Sequence, residues 1–216
     1  LGAETLDLVV ATHPHADHIG GMAEVIEQLD VRKVVMPRVA ESETPTTKTY
    51  ENLLQSIADE GLSITPAEPG TELWNENGAV LTVLGPNGSE YGNLNNYSVV
   101  LRLTFGEDSF LFTGDAETEC EEEMLAKGYD LSATVLKCGH HGSETSTSQA
   151  FLDAVSPQYA VISCGVDNDY GHPDAVTLDK LSTAGVEVFR TDLQGTITAV
   201  TSGSGVTMTA QGKQGT

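Results

Sequence analysis

The feature that most limits the fold of this chain is the position of its histidines, each of which follows a predicted β-strand. Runs of apolar, β-branched residues predict these strands, and no histidine lies within an apolar helical stripe. Loops at one edge of a sheet converge in space, so the histidines are expected to meet there. The six histidines are His13, His15, His18, His140, His141 and His172.

Predicted strands alternate with predicted helices along almost the whole chain. Apolar residues at Met22, Val25, Ile26 and Leu29 have helical spacing, and a strand-loop-helix rhythm repeats after residue 134. The chain has 216 residues, 39% of them hydrophobic, and shows no internal repeat or long linker. We therefore predict one α/β domain over residues 1–210, with mixed sheets covered by helices, and a loose tail over residues 211–216.

The densest cluster of ligand-type residues is the segment Thr12-His-Pro-His-Ala-Asp-His-Ile-Gly-Gly21. His13 and His15 lie two positions apart, so in an extended segment their imidazoles point to the same side. Two neutral imidazoles can hold one divalent ion, and Asp17 and His18 can face a second ion where the chain turns into a helix. A histidine-rich surface loop is the alternative interpretation, but four ligand-type residues in six positions favour a metal site.

The motif His13-x-His15-x-Asp17-His18 resembles the signature of the metallo-β-lactamase superfamily. This resemblance implies an αββα sandwich with a one- or two-metal site. Three further segments resemble the hydrolase domain of ComEC-type DNA-uptake proteins and, more distantly, the phosphorylcholine esterases. They are Phe110-Leu-Phe-Thr-Gly-Asp-Ala-Glu117, Leu136-Lys-Cys-Gly-His-His-Gly-Ser143 and Tyr170-Gly-His-Pro173.

Two departures from the family pattern bear on the expected fold and site. Family domains begin with two or three strands upstream of the histidine motif, so we expect this segment to lack those N-terminal strands. Many members also carry a ligand histidine between the first motif and the bridging aspartate. None lies between His18 and Asp115, and the resemblance implies that His140 or His141 supplies that ligand.

The resemblance implies a site for two divalent ions, zinc or manganese, since imidazole and carboxylate ligands suit both. Asp115 follows a buried strand and is the expected bridging carboxylate; a helix N-cap for the segment starting at Ala116 is its alternative role. Spacing does not decide between the adjacent histidines, but the esterase relatives favour His141. The expected metal ligands are His13, His15, Asp17, His18, Asp115, His141 and His172.

The expected reaction is the hydrolysis of a phosphodiester by hydroxide held between the two ions. We assign catalytic roles to Asp17, Asp115 and His140, the last as an acid–base or substrate-facing group. Ordinary capping or a strand surface is the alternative for each candidate substrate contact. These candidates are Lys137, Ser143, Asn96 and Ser98.

Charge narrows the choice of substrate and location. Asp and Glu number 32 against 10 Lys and Arg, which gives a net charge of −22 and argues against tight binding of duplex DNA. Two metal ions would make the site locally positive, which suits an anionic phosphodiester, with single-stranded DNA favoured over duplex.

We expect a ComEC-like nuclease that acts at the cell surface or outside the cell. We expect no membrane insertion by this segment, and an upstream membrane or cell-surface domain as its partner. The alternatives are a small-molecule phosphodiesterase, a lactonase or other acyl hydrolase, and a non-catalytic metal-binding module. These alternatives share the fold and the ligand set, so the substrate distinguishes them.

Overall fold

The computed structural model describes residues 2–212, in which strands and helices alternate as the sequence predicts. The helices in this range are α1 (Ala16–Ile19), α2 (Met22–Gln28), α3 (Lys48–Asp59), α4 (Thr118–Lys127), α5 (Gln149–Val155), α6 (Ala175–Thr183) and α7 (Thr191–Gln194). The strands are β1 (Thr5–Leu6), β2 (Val9–Val10), β3 (Asp30–Val31), β4 (Val34–Met36), β5 (Ile64–Pro66), β6 (Glu72–Glu76), β7 (Ala79–Gly85), β8 (Val100–Phe105), β9 (Asp108–Phe112), β10 (Val135–Lys137), β11 (Tyr159–Ile162), β12 (Glu187–Arg190), β13 (Ile197–Thr201) and β14 (Val206–Ala210).

Two sheets form the centre of the molecule. The larger has seven strands in the order β12-β11-β10-β9-β8-β7-β6, antiparallel from β6 to β9 and parallel from β9 to β12. The smaller contains the parallel strands β2, β4 and β5. Strand β1 pairs with β3. Strand β13 pairs with β14, and the two form a hairpin at the end of the described chain.

The alternation of side chains along β4 shows how the layers pack. Val34 belongs to the apolar cluster beneath α1, α2 and α3, whereas Val35 belongs to the cluster between the two sheets. Both residues are fully buried, because successive side chains of a strand point to opposite faces. On the far side, Leu111 and Leu136 of the large sheet pack with residues of α4, α5 and α6. The layers therefore form the expected αββα sandwich.

Three local predictions differ from the structure. The apolar run over residues 6–11 predicts one strand, but the structure has two, because β1 pairs with β3 and β2 pairs with β4 in a different sheet. The sequence predicts a strand from Tyr97 to Phe105, but β8 begins at Val100, since residues 94–97 form a 3-10 turn in which the Asn93 side chain accepts the Asn95 N–H. The sequence does not predict helix α4 as a separate element. This helix begins at Thr118 with Glu117 at its N-cap position, so Asp115 is not the N-cap residue.

One face of the large sheet leaves a groove of about 590 Å³ between β9, β10, β11 and the hairpin strand β13. Phe110, Phe112 and Lys137 line it, and Phe112 is 39% exposed. No helix within residues 2–212 is both long and apolar enough to span a bilayer. Of the predicted tail, residues 213–216 lie outside the described residues, and the Gln211 N–H donates to the Thr196 carbonyl.

Candidate metal centre

The ends of four strands bring the candidate ligands to one edge of the sandwich. His13 follows β2, Asp115 follows β9, His141 follows β10 and His172 follows β11. Strands β9, β10 and β11 are parallel neighbours, so the loops at their carboxyl ends lie side by side. The small sheet joins this edge because the Val99 N–H, just before β8, donates to the Thr12 carbonyl at 2.8 Å.

Two glycines allow these loops to approach each other closely. Gly114 has φ +54°, and a Cβ there would lie 2.9 Å from Ser98 Oγ. Gly142 has φ +84°, and a Cβ there would lie 2.6 Å from Cβ of Pro173. Glycine alone combines a left-handed backbone with this lack of space. The glycines therefore set Asp115 and His141 beside their partners.

Four side chains form the most compact group of candidate ligands. One ligand atom from each of Asp17, His18, Asp115 and His141 lies within 4.8 Å of the other three. His18 Nε2 is 3.1 Å from Asp115 Oδ2 and 3.2 Å from His141 Nε2. His141 Nε2 is 3.1 Å from Asp17 Oδ2. Two imidazoles and two carboxylates at these separations can coordinate a divalent ion.

A second pair of imidazoles lies on the other side of Asp115. His13 Nε2 is 3.1 Å from His15 Nδ1 and 3.6 Å from Asp115 Oδ2. Asp115 is thus shared between the His13–His15 pair and the four-residue group. Among the described residues, its buried Oδ1 atom has no hydrogen-bond partner. A buried carboxylate oxygen without a partner fits a metal ligand, so the residues present suit a metal centre.

Hydrogen bonds behind the ligands orient the imidazoles. His141 Nδ1 donates to the Ser163 carbonyl at 2.7 Å, which directs its Nε2 atom into the group. His13 Nδ1 lies 3.2 Å from the hydroxyl oxygens of Thr12 and Ser98. Ser98 Oγ also accepts the Asp115 N–H at 2.9 Å. Ser98 therefore holds a histidine and the shared aspartate in a fixed relation.

Burial and charge set the protonation of these groups. Burial, helped by His18, lowers the pKa of His13 to about 3, so its imidazole is neutral and able to bind metal. Burial opposes ionisation of Asp115, but hydrogen bonds from His141 and His18 outweigh it and hold the pKa of this carboxyl well below its usual range. The same hydrogen bond raises the pKa of His141. The shared aspartate is therefore a carboxylate at neutral pH.

The adjacent histidines have different environments. Both have left-handed backbone angles, with φ 45° for His140 and 56° for His141. His140 lies outside the four-residue group, and its Nδ1 atom is 3.2 Å from Glu117 Oε1. His172 also lies outside that group, with its ring centroid 5.5 Å from that of His140, and burial lowers its pKa. Within the described residues, six of the seven expected ligands therefore lie together, and His172 lies in the wall of the adjacent cavities.

The four expected substrate contacts lie away from the cavities beside the candidate metal centre. Ser98 is fully buried behind His13 and Asp115, and Asn96 is 3% exposed, with its side chain between Glu117 and Glu119. Ser143 is 4% exposed, with its hydroxyl directed to Thr145. Lys137 lies in the groove on the sheet face, where it donates to the Cys138 carbonyl and burial lowers its pKa. None of the four lines the cavities beside the metal centre.

Two cavities open beside the candidate ligands, of about 250 and 320 Å³. Asp17, His141, Tyr170 and His172 line both of them. Ser163, Cys164, Gly165 and Asn168 extend the smaller cavity, whereas Ala16, Asp115 and His140 extend the larger. The candidate metal centre therefore opens onto two adjoining spaces that could each receive one arm of a substrate.

Sequence reasoning missed two residues at this site. Glu117 accepts hydrogen bonds from Asn93, Asn95 and Thr145, and it lies beside His140. Its position two residues after Asp115 is the sequence signal that could have identified it. Tyr170 is 83% exposed at the mouth of both cavities. In the sequence, Tyr170 is part of the segment Tyr170-Gly-His-Pro173, and nothing in that segment indicates an exposed ring.

The αββα layers and the clustered histidines and aspartates define a fold with a candidate metal centre, and comparison with known proteins identifies its class. The family model of the metallo-β-lactamase superfamily matches residues 1–166. This chain belongs to the metallo-β-lactamase superfamily. A metallo hydrolase from Ignicoccus hospitalis has a similar fold, with a TM-score of 0.56 and 16% identity over 94% of this chain and 79% of that one.

Two curated relatives come from bacterial competence systems. ComE operon protein 3 of Bacillus subtilis is 35% identical over 196 residues, which is 91% of this chain and 25% of that protein. Competence protein ComA of Neisseria gonorrhoeae is 34% identical over 197 residues, again 91% of this chain and 25% of the relative. The chain therefore spans about a quarter of the length of these ComEC-like proteins.

Proposed function

We propose that this chain is a two-metal phosphodiesterase that cleaves single-stranded DNA. The observation that carries the proposal is the position of Asp115, whose Oδ2 atom lies within 3.6 Å of Nε2 of three histidines. His13 and His15 flank it on one side, and Asp17, His18 and His141 on the other. One carboxylate shared by two groups of ligands is the arrangement that a dinuclear centre requires.

The ligand set would hold two divalent ions, either zinc or manganese. When bound, such ions supply Lewis-acid activation of water and stabilise charge on the phosphate oxygens. The protein holds the shared carboxylate ionised and the His13 imidazole neutral, so the ligands are in the states that bind metal. His140, in the wall of the larger cavity, can exchange a proton with the leaving oxygen at its Nε2 atom while Glu117 holds its Nδ1 proton.

Two further observations support a phosphodiester as substrate. Two adjoining cavities share the ligands Asp17 and His141, and a diester has two arms to place where a monoester has one. The relatives carry names from bacterial competence, which favours DNA. With 32 acidic and 10 basic residues, the chain cannot neutralise many duplex phosphates, which favours a single strand as substrate. We further propose that the chain acts at the cell surface or outside the cell, tethered to a membrane protein.

A substrate panel tests the proposal. Protein purified without chelator is assayed with zinc or manganese against bis- and mono-p-nitrophenyl phosphate, lactones, and single- and double-stranded DNA. We expect cleavage of the bis-ester and of single-stranded DNA, and about two equivalents of bound metal per chain. Cleavage of the bis-ester without DNA would indicate a small-molecule phosphodiesterase, and lactone cleavage alone an acyl hydrolase. One equivalent in saturating metal would contradict the dinuclear centre.

A further inference from the structure

An exposed aromatic side chain lies at the mouth of the candidate metal centre and does not pack into the core. Tyr170 is 83% exposed, although the ring of a tyrosine is normally at least partly buried. It lines both cavities together with Asp17 and His141 of the metal centre. An open ring in the wall of cavities that contain candidate metal ligands is placed to contact whatever binds there.

The loop that carries Tyr170 is held in one conformation by its own hydrogen bonds. The Asn168 side chain donates to the carbonyls of Gly165 and His172 and accepts the His172 N–H at 3.0 Å. The Gly171 N–H donates to the Asn168 carbonyl at 3.2 Å. The loop around residue 168 therefore closes on itself and presents the tyrosine ring in a preformed position, which lowers the entropy lost on binding.

The neighbouring His172 ring fixes the orientation of the Tyr170 ring. The Tyr170 and His172 rings are nearly parallel, with an interplanar angle of 12° and centroids 5.8 Å apart. His172 in turn meets the His140 ring in an edge-on contact, with an interplanar angle of 64°, in the wall of the larger cavity. A flat aromatic face that is supported on one side and open to solvent is a platform for another planar group.

We propose that Tyr170 is a stacking platform for a nucleobase of the strand whose phosphate lies at the metal centre. This inference rests on the proposed function and specifies how the substrate is recognised. The carbonyls of Ser163, Gly165 and His172 already accept hydrogen bonds from this chain, so the cavity wall favours contact with the face of a base over its edge. Recognition by stacking tolerates any base sequence, because every base has a π-face.

The test compares two single strands that carry the same charge. One is an oligo(dT), and the other is an abasic oligomer of equal length, with the same phosphates and no bases. We expect the wild-type chain to cleave oligo(dT) with a higher kcat/KM, and Tyr170→Ala to lower that value by about 5- to 100-fold, mainly through KM. The abasic strand should be cleaved equally by both proteins. Tyr170→Phe keeps the ring and should stay within about twofold of wild type.

Val166→Ala is the matched control, because Val166 is 52% exposed on the same loop and lines neither cavity. This control should cleave both strands at the wild-type rate. Equal cleavage of the two strands by the wild type, or an equal loss on both in Tyr170→Ala, would overturn the platform and leave the nuclease intact. Absence of cleavage of either strand by the wild type would instead reject the proposed function, and the platform with it.

Discussion

His140 Nδ1 lies 3.2 Å from Glu117 Oε1, and the same carboxylate oxygen accepts hydrogen bonds from Asn95 and Thr145. Asn93 donates to the other oxygen of Glu117. The carboxylate is thus anchored by three side chains and can hold the imidazole through its Nδ1 atom, while the Asn95 amide lies 3.5 Å from its Nε2 atom. Such a partner fixes both the orientation and the tautomer of a histidine. Glu117 is therefore a positioning residue for His140.

The first prediction concerns this pair. Glu117→Gln should lower kcat by about 10- to 100-fold, the loss typical of removing an outer partner of a functional histidine, and leave the metal content unchanged. If Glu117 acts through His140, the same substitution should have almost no effect in a His140→Ala background. Rates of the wild type, both single variants and the double variant measure this coupling. Additive losses would show that the carboxylate acts independently of the imidazole.

The second prediction concerns the shared aspartate. Asp115→Asn should release at least one metal ion and reduce phosphodiesterase activity by more than the roughly 10- to 100-fold that loss of an outer partner costs. Metal analysis after dialysis, together with the cleavage rate, checks both effects. Asp108→Asn is a matched control, because Asp108 is also buried but lies at the opposite end of β9. Wild-type metal content in Asp115→Asn would argue against a bridging role.

The third prediction separates the adjacent histidines. His141→Ala should lose metal and activity together, since His141 Nε2 lies among the ligand atoms of the four-residue group. His140→Ala should keep its metal and lose about 10²- to 10⁴-fold in rate, as expected for a general acid–base group. Both quantities are measured on the two variants side by side. Metal loss in His140→Ala with retention in His141→Ala would reverse these roles.

The histidine motif could be predicted from the sequence because its information is local. His13 and His15 are two residues apart, and a strand before them fixes their common direction. The relation between β1 and β2 was not predictable in this way, because the two strands pair with different sheets. Local apolar character cannot distinguish one buried strand from two short strands that join separate partners.

The placement of the predicted substrate contacts could not be read from the sequence for a related reason. Lys137 precedes the histidine pair in the sequence, but β10 turns its side chain to the same face as Val135, whereas Leu136 faces the helices. Ser98 is near the site, but it lies behind the ligands and not in front of them. Sequence proximity to a motif indicates which loop a residue occupies and not which side of the ligand shell it faces.

The fourth prediction follows from the location of Lys137. Its amino group donates to the Cys138 carbonyl in a groove lined by Phe110 and Phe112, away from both cavities at the metal centre. Lys137→Met keeps a similar unbranched volume and removes the amino group. It should therefore leave kcat/KM for the bis-ester within about twofold of wild type. A loss of tenfold or more with normal metal content would restore the lysine as a phosphate contact.

The fifth prediction concerns the acid stability of the metal-free protein. Burial lowers the pKa of His13 from its usual 6.5 to about 3 in the folded chain, so between these values the unfolded chain binds more protons. Stability must then fall as the pH falls through this range, by about 2 kcal/mol at pH 5 from this one group. Urea unfolding in EDTA at pH 7 and pH 5 measures the change. His13→Gln should show a smaller loss on acidification, since the group that gains a proton on unfolding is gone. The same pH dependence in both proteins would mean that His13 is as accessible to protons in the folded chain as in the unfolded one.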